Sequence, residues 1–210
     1  MAKRRSPATD PRKAPKQARS ERLVAAILQA AIRVLERHGA SGFTTARVAE
    51  RAGVSVGSLY QYFPNKQSIL FRLQQDDGEA TAQLLDGIFS DQQRSATERL
   101  KGAVLAFFRS EWDEAPLRRA LEDAAPLYRD APAAREHRDR GLPLLLALLG
   151  EAAPGLSAQK RASLAELYVP VLSGLGKHIS EHAQSRSEVD AWAATVADMF
   201  LAYLSGQKRR

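Results

Sequence analysis

From Ser20 onward the large apolar residues of this chain recur at steps of three and four, and no segment alternates apolar with polar. In the first such run Leu23, Ile27, Ala30, Ala31 and Val34 line up; in the last, Val189, Trp192, Val196, Met199, Phe200 and Tyr203 do. At 3.6 residues per turn this spacing gathers them on one helix face, whereas a strand would scatter them over both of its faces. The pattern predicts an all-α fold of about nine helices. No alternating strand pattern flanked by turn pairs such as Asn-Gly, and no fixed-period repeat, interrupts it.

Capping and breaking residues mark the boundaries. Gly39 closes the first helix, Thr44 opens a short one through Ala52, and Ser55 opens another through Phe63. Pro64 stops that helix, because it lacks an amide hydrogen and disfavours helical φ/ψ at Phe63. Asn65 caps the next, which runs through Ile69, Leu73 and Leu84, with Gly78 a weak point. Ser95 with Glu98 spells a capping box ahead of Leu100, Val104, Phe107 and Phe108. Shorter helices are expected at residues 117–128 and 142–149. Ser157 opens the penultimate helix, which Pro170 is expected to kink or interrupt. Ser187 with Asp190 opens the last, and Gly206 ends it.

The 210 residues contain no cysteine, which excludes disulfides and thiolate metal sites. No apolar run is long enough to span a bilayer, and no apolar stretch follows Lys3, Arg4 and Arg5 as in a secretory signal, so a cytoplasmic location is expected. Charge is unevenly placed. Residues 1–66 carry 13 Lys/Arg against 4 Asp/Glu, a net of +9, and the rest carry 18 against 20. A basic end on a nearly neutral body suits a polyanionic partner. Residues 1–19, rich in charge and proline, are expected to form a disordered basic arm, either merely solvated or reaching DNA phosphates or a minor groove.

The segment "AGVSVGSLYQYFPNK", residues 52–66, gives that partner a surface. Two short helices joined at Gly53-Val54-Ser55 form a helix-turn-helix, with Val48, Ala49 and Ala52 facing Leu59 and Phe63. With Leu59 and Phe63 inward, Tyr60 and Tyr62 are expected on opposite outer flanks, each reaching a phosphate wall of the major groove. Gly57 and Ser58 are small enough to let the helix approach base edges, and Lys66 adds a charge toward a backbone.

"TTARVAERAGVSVGSLYQYFPNKQSIL", preceded by "ILQAAIRVLERHGASGF", resembles the DNA-binding domain of the TetR family of bacterial repressors over residues 19–70. The most specific part is Gly53-Val54-Ser55-x-Gly57-x-Leu59-Tyr60-x-Tyr62-Phe63 with Lys66 beyond. The resemblance implies a three-helix DNA-binding domain at 20–66 and a helical effector-binding and dimerisation domain at 67–210. It implies a homodimer acting as a repressor released from its operator by a small hydrophobic or aromatic effector. DNA contacts would fall to Thr45, Arg47, Ser55, Val56, Gly57, Ser58, Tyr60, Tyr62 and Lys66. Two positions depart from the family: Ala46, often arginine there, and Val56, often lysine or glutamine. Val56 cannot hydrogen-bond a base and could instead meet a thymine methyl.

The remaining helices supply apolar walls and seams. Phe108, Trp112, Leu121, Tyr128, Leu146, Tyr168 and Leu172 are candidates for the effector pocket, although each taken singly reads more readily as core. Leu164, Leu175, Val189, Trp192, Val196, Phe200 and Tyr203 are candidates for the dimer seam, or for burial within one chain. A fully packed middle region would instead give a regulator without an effector. "HISEH" places His178, Glu181 and His182 in an inverted zinc-protease spacing, the basis of a metal-dependent hydrolase alternative. No third ligand is evident, and two histidines near a helix C-terminus suit its dipole without metal. There is no P-loop, dinucleotide fingerprint or catalytic triad, so no cofactor and no enzymatic activity are expected.

Overall fold

The computed structural model describes residues 18–127 and 142–207. Among them are nine α-helices and a single 3-10 turn at Ala125–Leu127, with no strand, as the helical period requires. They are α1 (Ala18–Gly42), α2 (Thr45–Ala52), α3 (Val56–Tyr60), α4 (Lys66–Phe89), α5 (Ala96–Asp113), α6 (Ala115–Ala124), α7 (Leu142–Ala152), α8 (Ala158–His182) and α9 (Arg186–Gln207). No helix is long and apolar enough to cross a membrane among the described residues.

The caps act largely as the sequence suggests. Asn65 Oδ1 accepts from Ser68 N at 2.8 Å, opening α4. Ser157 Oγ accepts from Lys160 N at 3.3 Å, opening α8. At α5, Ser95 Oγ accepts from Glu98 N while the Glu98 carboxylate accepts from Ser95 N at 2.8 Å, both halves of a capping box. These hydrogen bonds from Ser95 hold the Glu98 carboxyl below its ordinary pKa.

Several expectations need correction. α9 opens two residues earlier, with Ser185 in place of Ser187 accepting from Glu188 N, and passes through Gly206 to Gln207. Pro170 does not interrupt α8, which runs through it, whereas α4 runs through Gly78 as expected. α1 is broken at Gly39 (φ 62, ψ −178) yet resumes to Gly42. α1 also begins at Ala18, inside the segment expected as an arm. The rest of that arm, 1–17, and Tyr128 lie outside the described residues.

The helices sort into two packing units. The N-terminal unit comprises 18–78 and 116–127 of the described residues. Its core joins Ile27, Ala31 and Leu35 of α1 to Phe43, Val48, Leu59, Phe63, Ile69 and Leu70. Ala120, Leu121 and Ala124 of α6 complete it, although sequence order put them in the second domain. Arg118 Nε pairs with Asp77 Oδ1 at 3.1 Å in the same unit.

The C-terminal unit comprises 79–115 and 142–207 of the described residues, and α5 packs against both α8 and α9. It holds two apolar clusters. One gathers Leu100, Leu145, Leu148, Leu149 and Tyr168; the other gathers Val104, Phe108, Ile179, Val189 and Ala193. Arg109 grips Asp190 with two 2.7 Å hydrogen bonds, from Nε and Nη2, tying α5 to α9. Those bonds hold the Asp190 carboxyl below its usual range.

Candidate nucleic-acid interface

α2 and α3 are short, and an isolated helix of five or eight residues is not stable in water. Their placement is therefore set by caps and by the core. Thr44 Oγ1 accepts from Arg47 N at 3.3 Å to start α2. Gly53 (φ 69) ends it: its N–H bonds Glu50 O and the Val54 N–H bonds Ala49 O, the paired closure of a left-handed helix cap. Ser55 Oγ then accepts from Ser58 N at 3.0 Å, starting α3. Val48, Ala49 and Leu59 are fully buried between the two helices and the rest of the unit.

Outside this ridge lies the surface that the helix-turn-helix presents. Val56 is 39% exposed and Tyr60 38% exposed, while Leu59 between them is 0% exposed. Ser55 and Gly57 are exposed; Thr45, Ser58 and Lys66 are half-buried. Thr45 Oγ1 and Tyr60 Oη are 3.1 Å apart, a hydrogen bond that joins the first turn of α2 to the end of α3. Arg47 is exposed but directed back along the unit, where its Nη1 donates to Gly42 O at 2.5 Å.

Tyr62 is a correction: it is 7% exposed and belongs to the core. A place on the flank opposite Tyr60 requires a helix continuing to Phe63, but α3 ends at Tyr60. There Tyr62 N bonds Leu59 O, a tighter i,i+3 turn that swings the ring inward beside Phe63.

The other expected sites divide. Phe108 and Tyr168 are buried in the two clusters of the C-terminal unit, with Trp112, Leu146 and Leu172 packed against them. Burial pushes the Tyr168 hydroxyl pKa up. Leu121 lies instead in the N-terminal core. Among the seam candidates, Val189 is 0% exposed within its own chain and has no surface to give a partner. Leu164, Leu175, Trp192, Val196 and Phe200 pack against the same clusters, and Tyr203 is exposed. Leu167, Val169, Val171 and Met199 are the exposed apolar side chains of α8 and α9 that the sequence reading missed. Period alone marks a face as apolar without saying which of two faces a neighbouring helix takes.

His178 and His182 are stacked, with ring centroids 4.2 Å apart, and His182 Nδ1 bonds the backbone oxygen of His178 at 2.8 Å. Trp192 also stacks with His178, ring centroids 5.9 Å apart. Among the described residues no cluster of three His, Cys, Asp or Glu could hold a metal. Sequence reasoning also passed over two i,i+4 arginine pairs, Arg33/Arg37 and Arg47/Arg51, which line one cleft of the N-terminal unit.

Comparison with known proteins agrees with this geometry. Residues 27–73 match the family described as bacterial regulatory proteins, tetR family, and residues 88–207 match the tetracyclin repressor-like C-terminal domain. No curated protein matches the sequence. Among solved structures, a candidate transcriptional regulator from Pseudomonas aeruginosa PAO1 superposes with a TM-score of 0.70 at 20% identity, covering 92% of this chain and 96% of its own. PfmR, a TetR family transcriptional regulator from Thermus thermophilus, gives 0.67 at 16% identity, covering 84% and 97%. The fatty acid degradation regulator FadR from Bacillus halodurans gives 0.64 at 22%, covering 84% and 97%. At such identities the superpositions speak for the fold, and the two family matches carry the assignment: the chain belongs to the TetR family of transcriptional regulators and is a DNA-binding protein.

Proposed function

We propose that this regulator is a homodimeric, non-enzymatic repressor whose paired helix-turn-helix units read an operator and release it when a small apolar effector binds. The observation that carries the DNA reading is the split of α3 into a fully buried Leu59 and outward Val56 and Tyr60. Thr45, Tyr60 and Lys66 meet phosphates. Ser55, Val56, Gly57 and Ser58 face the base edges. Tyr62 supports α3 from beneath. Two such units read half-sites about 34 Å apart, one turn of duplex. Exposed Leu167, Val171, Met199 and Tyr203 on α8 and α9 supply the dimer seam. The effector inserts among Phe108, Trp112, Leu146, Tyr168 and Leu172, where Leu172 packs against both apolar clusters.

Selection of bound genomic fragments gives the operator, and a reporter placed behind it reads repression. Tyr60→Phe and Lys66→Ala each weaken binding to every sequence, whereas Ser58→Ala changes preference among sequences. Unaltered duplex affinity in both of the first two variants rejects this docking. The complete burial of Phe108 favours a second reading, a regulator with no effector. Thermal melting against a library of apolar compounds decides between them, since a ligand that binds only the native state raises the melting temperature.

A further inference from the structure

Arg33 and Arg37 stand one turn apart on α1, as do Arg47 and Arg51 on α2, and both pairs line one cleft of about 410 Å³. Like charges at i,i+4 on a helix repel. Here two such pairs face each other, with His38 and the lone carboxylate of Glu50. Among the described residues no carboxylate oxygen comes within 4.0 Å of any of the four guanidinium groups. The wall of the cleft is closely fitted. Arg47 is anchored to Gly42 O, and a Cβ at Gly42 would stand 2.8 Å from His38 Cβ. No residue of α3 lines the cleft, and Arg47 lies about 200° around α2 from Thr45. The cleft is thus distinct from the Thr45–Tyr60 side of the helix-turn-helix.

We propose that this cleft is a phosphate-binding site separate from the recognition helix. Planar guanidinium forks match phosphate oxygens two at a time, and a multiply charged phosphate relieves the repulsion among the four cations. The volume suits linked phosphates better than one ion. They come either from a free polyphosphate, including that of a nucleotide, or from consecutive backbone phosphates of a duplex beside the groove that α3 reads. The second source rests on the DNA reading above; the first does not.

The test compares the full chain with the double variant Arg37→Gln/Arg51→Gln, using Arg94→Gln/Arg186→Gln as a control of equal charge. Sodium pyrophosphate at matched ionic strength is added in thermal melts and calorimetric titrations, and duplex binding is followed across salt concentrations. With a free source, pyrophosphate raises the melting temperature of the wild type and binds about tenfold more weakly to the cleft variant. With a backbone source, pyrophosphate has no effect, but the cleft variant loses duplex affinity and its salt slope falls by about 0.9 per lost phosphate. If the cleft variant matches the control in both assays, the proposal is overturned. Tyr60→Phe keeps the two readings apart, for it weakens duplex binding and leaves the pyrophosphate response intact.

Discussion

Leu59→Ala tests how the recognition helix is held. α3 has five residues and cannot persist alone, and Leu59 is its only fully buried side chain. Truncation removes three carbons from a site with no exposure, which costs about 2–5 kcal/mol for a leucine in a core. At 1.4 kcal/mol per factor of ten, amides protected by this packing exchange roughly 30- to 4,000-fold faster. The reporters are the Tyr62 and Phe63 amides, both bonded to Leu59 O at 3.0 Å, and the Leu59 amide bonded to Ser55 O. Hydrogen exchange read by mass spectrometry over 55–63 measures them. Val56→Ala is the counterpart. Its side chain is exposed on one side, unlike that of Leu59, so its effect stays within about 0.5 kcal/mol, roughly twofold in exchange, while duplex preference changes. Acceleration of less than about threefold in Leu59→Ala, or equal acceleration in Val56→Ala, refutes the claim that this one anchor positions α3.

Three further outcomes are expected. Gly53→Ala places a side chain at φ 69 where nothing crowds it, so the cost is backbone strain alone, about 1–2 kcal/mol in urea denaturation. Asn65→Ala removes the acceptor for the Ser68 amide and lowers stability by about 1 kcal/mol, visible as loss of protection in the first turn of α4. The Asp190 carboxyl is held below 3.8, its unfolded value, chiefly by hydrogen bonds from Arg109. Its contribution is present above that value and lost as pH falls through the folded one. Asp190→Asn should therefore narrow the gap in melting temperature between pH 7 and pH 3, measured by calorimetry.

The fold was legible where a helix carries its own period and cap. Thr44, Gly53, Ser55, Asn65 and the Ser95–Glu98 box are local devices, and each acts within three or four residues of itself. Tyr62 was misread for an equally local reason: whether a helix runs one turn further depends on a choice between i,i+3 and i,i+4 bonding that Pro64 biases without fixing. Leu121 and Val189 were misread for a non-local one. Both sit on apolar stripes, but which neighbour covers a stripe is decided by tertiary packing, so α6 joins the N-terminal core and Val189 vanishes beneath α5's cluster. The arginine cleft was visible in principle as two i,i+4 repetitions. Their convergence depends on how α1 meets α2, which no single helix encodes.

The bond between the hydroxyls of Thr45 and Tyr60 has a consequence for proton inventory. Two hydroxyl groups bring two hydrogens, and their mutual bond occupies one. Whichever oxygen donates inward, the other keeps its hydrogen for an outside acceptor, so the donor role passes between α2 and α3 by two hydroxyl rotations without moving a heavy atom. In the docking proposed above, a duplex that arrives slightly shifted along its axis therefore meets a donor from either helix.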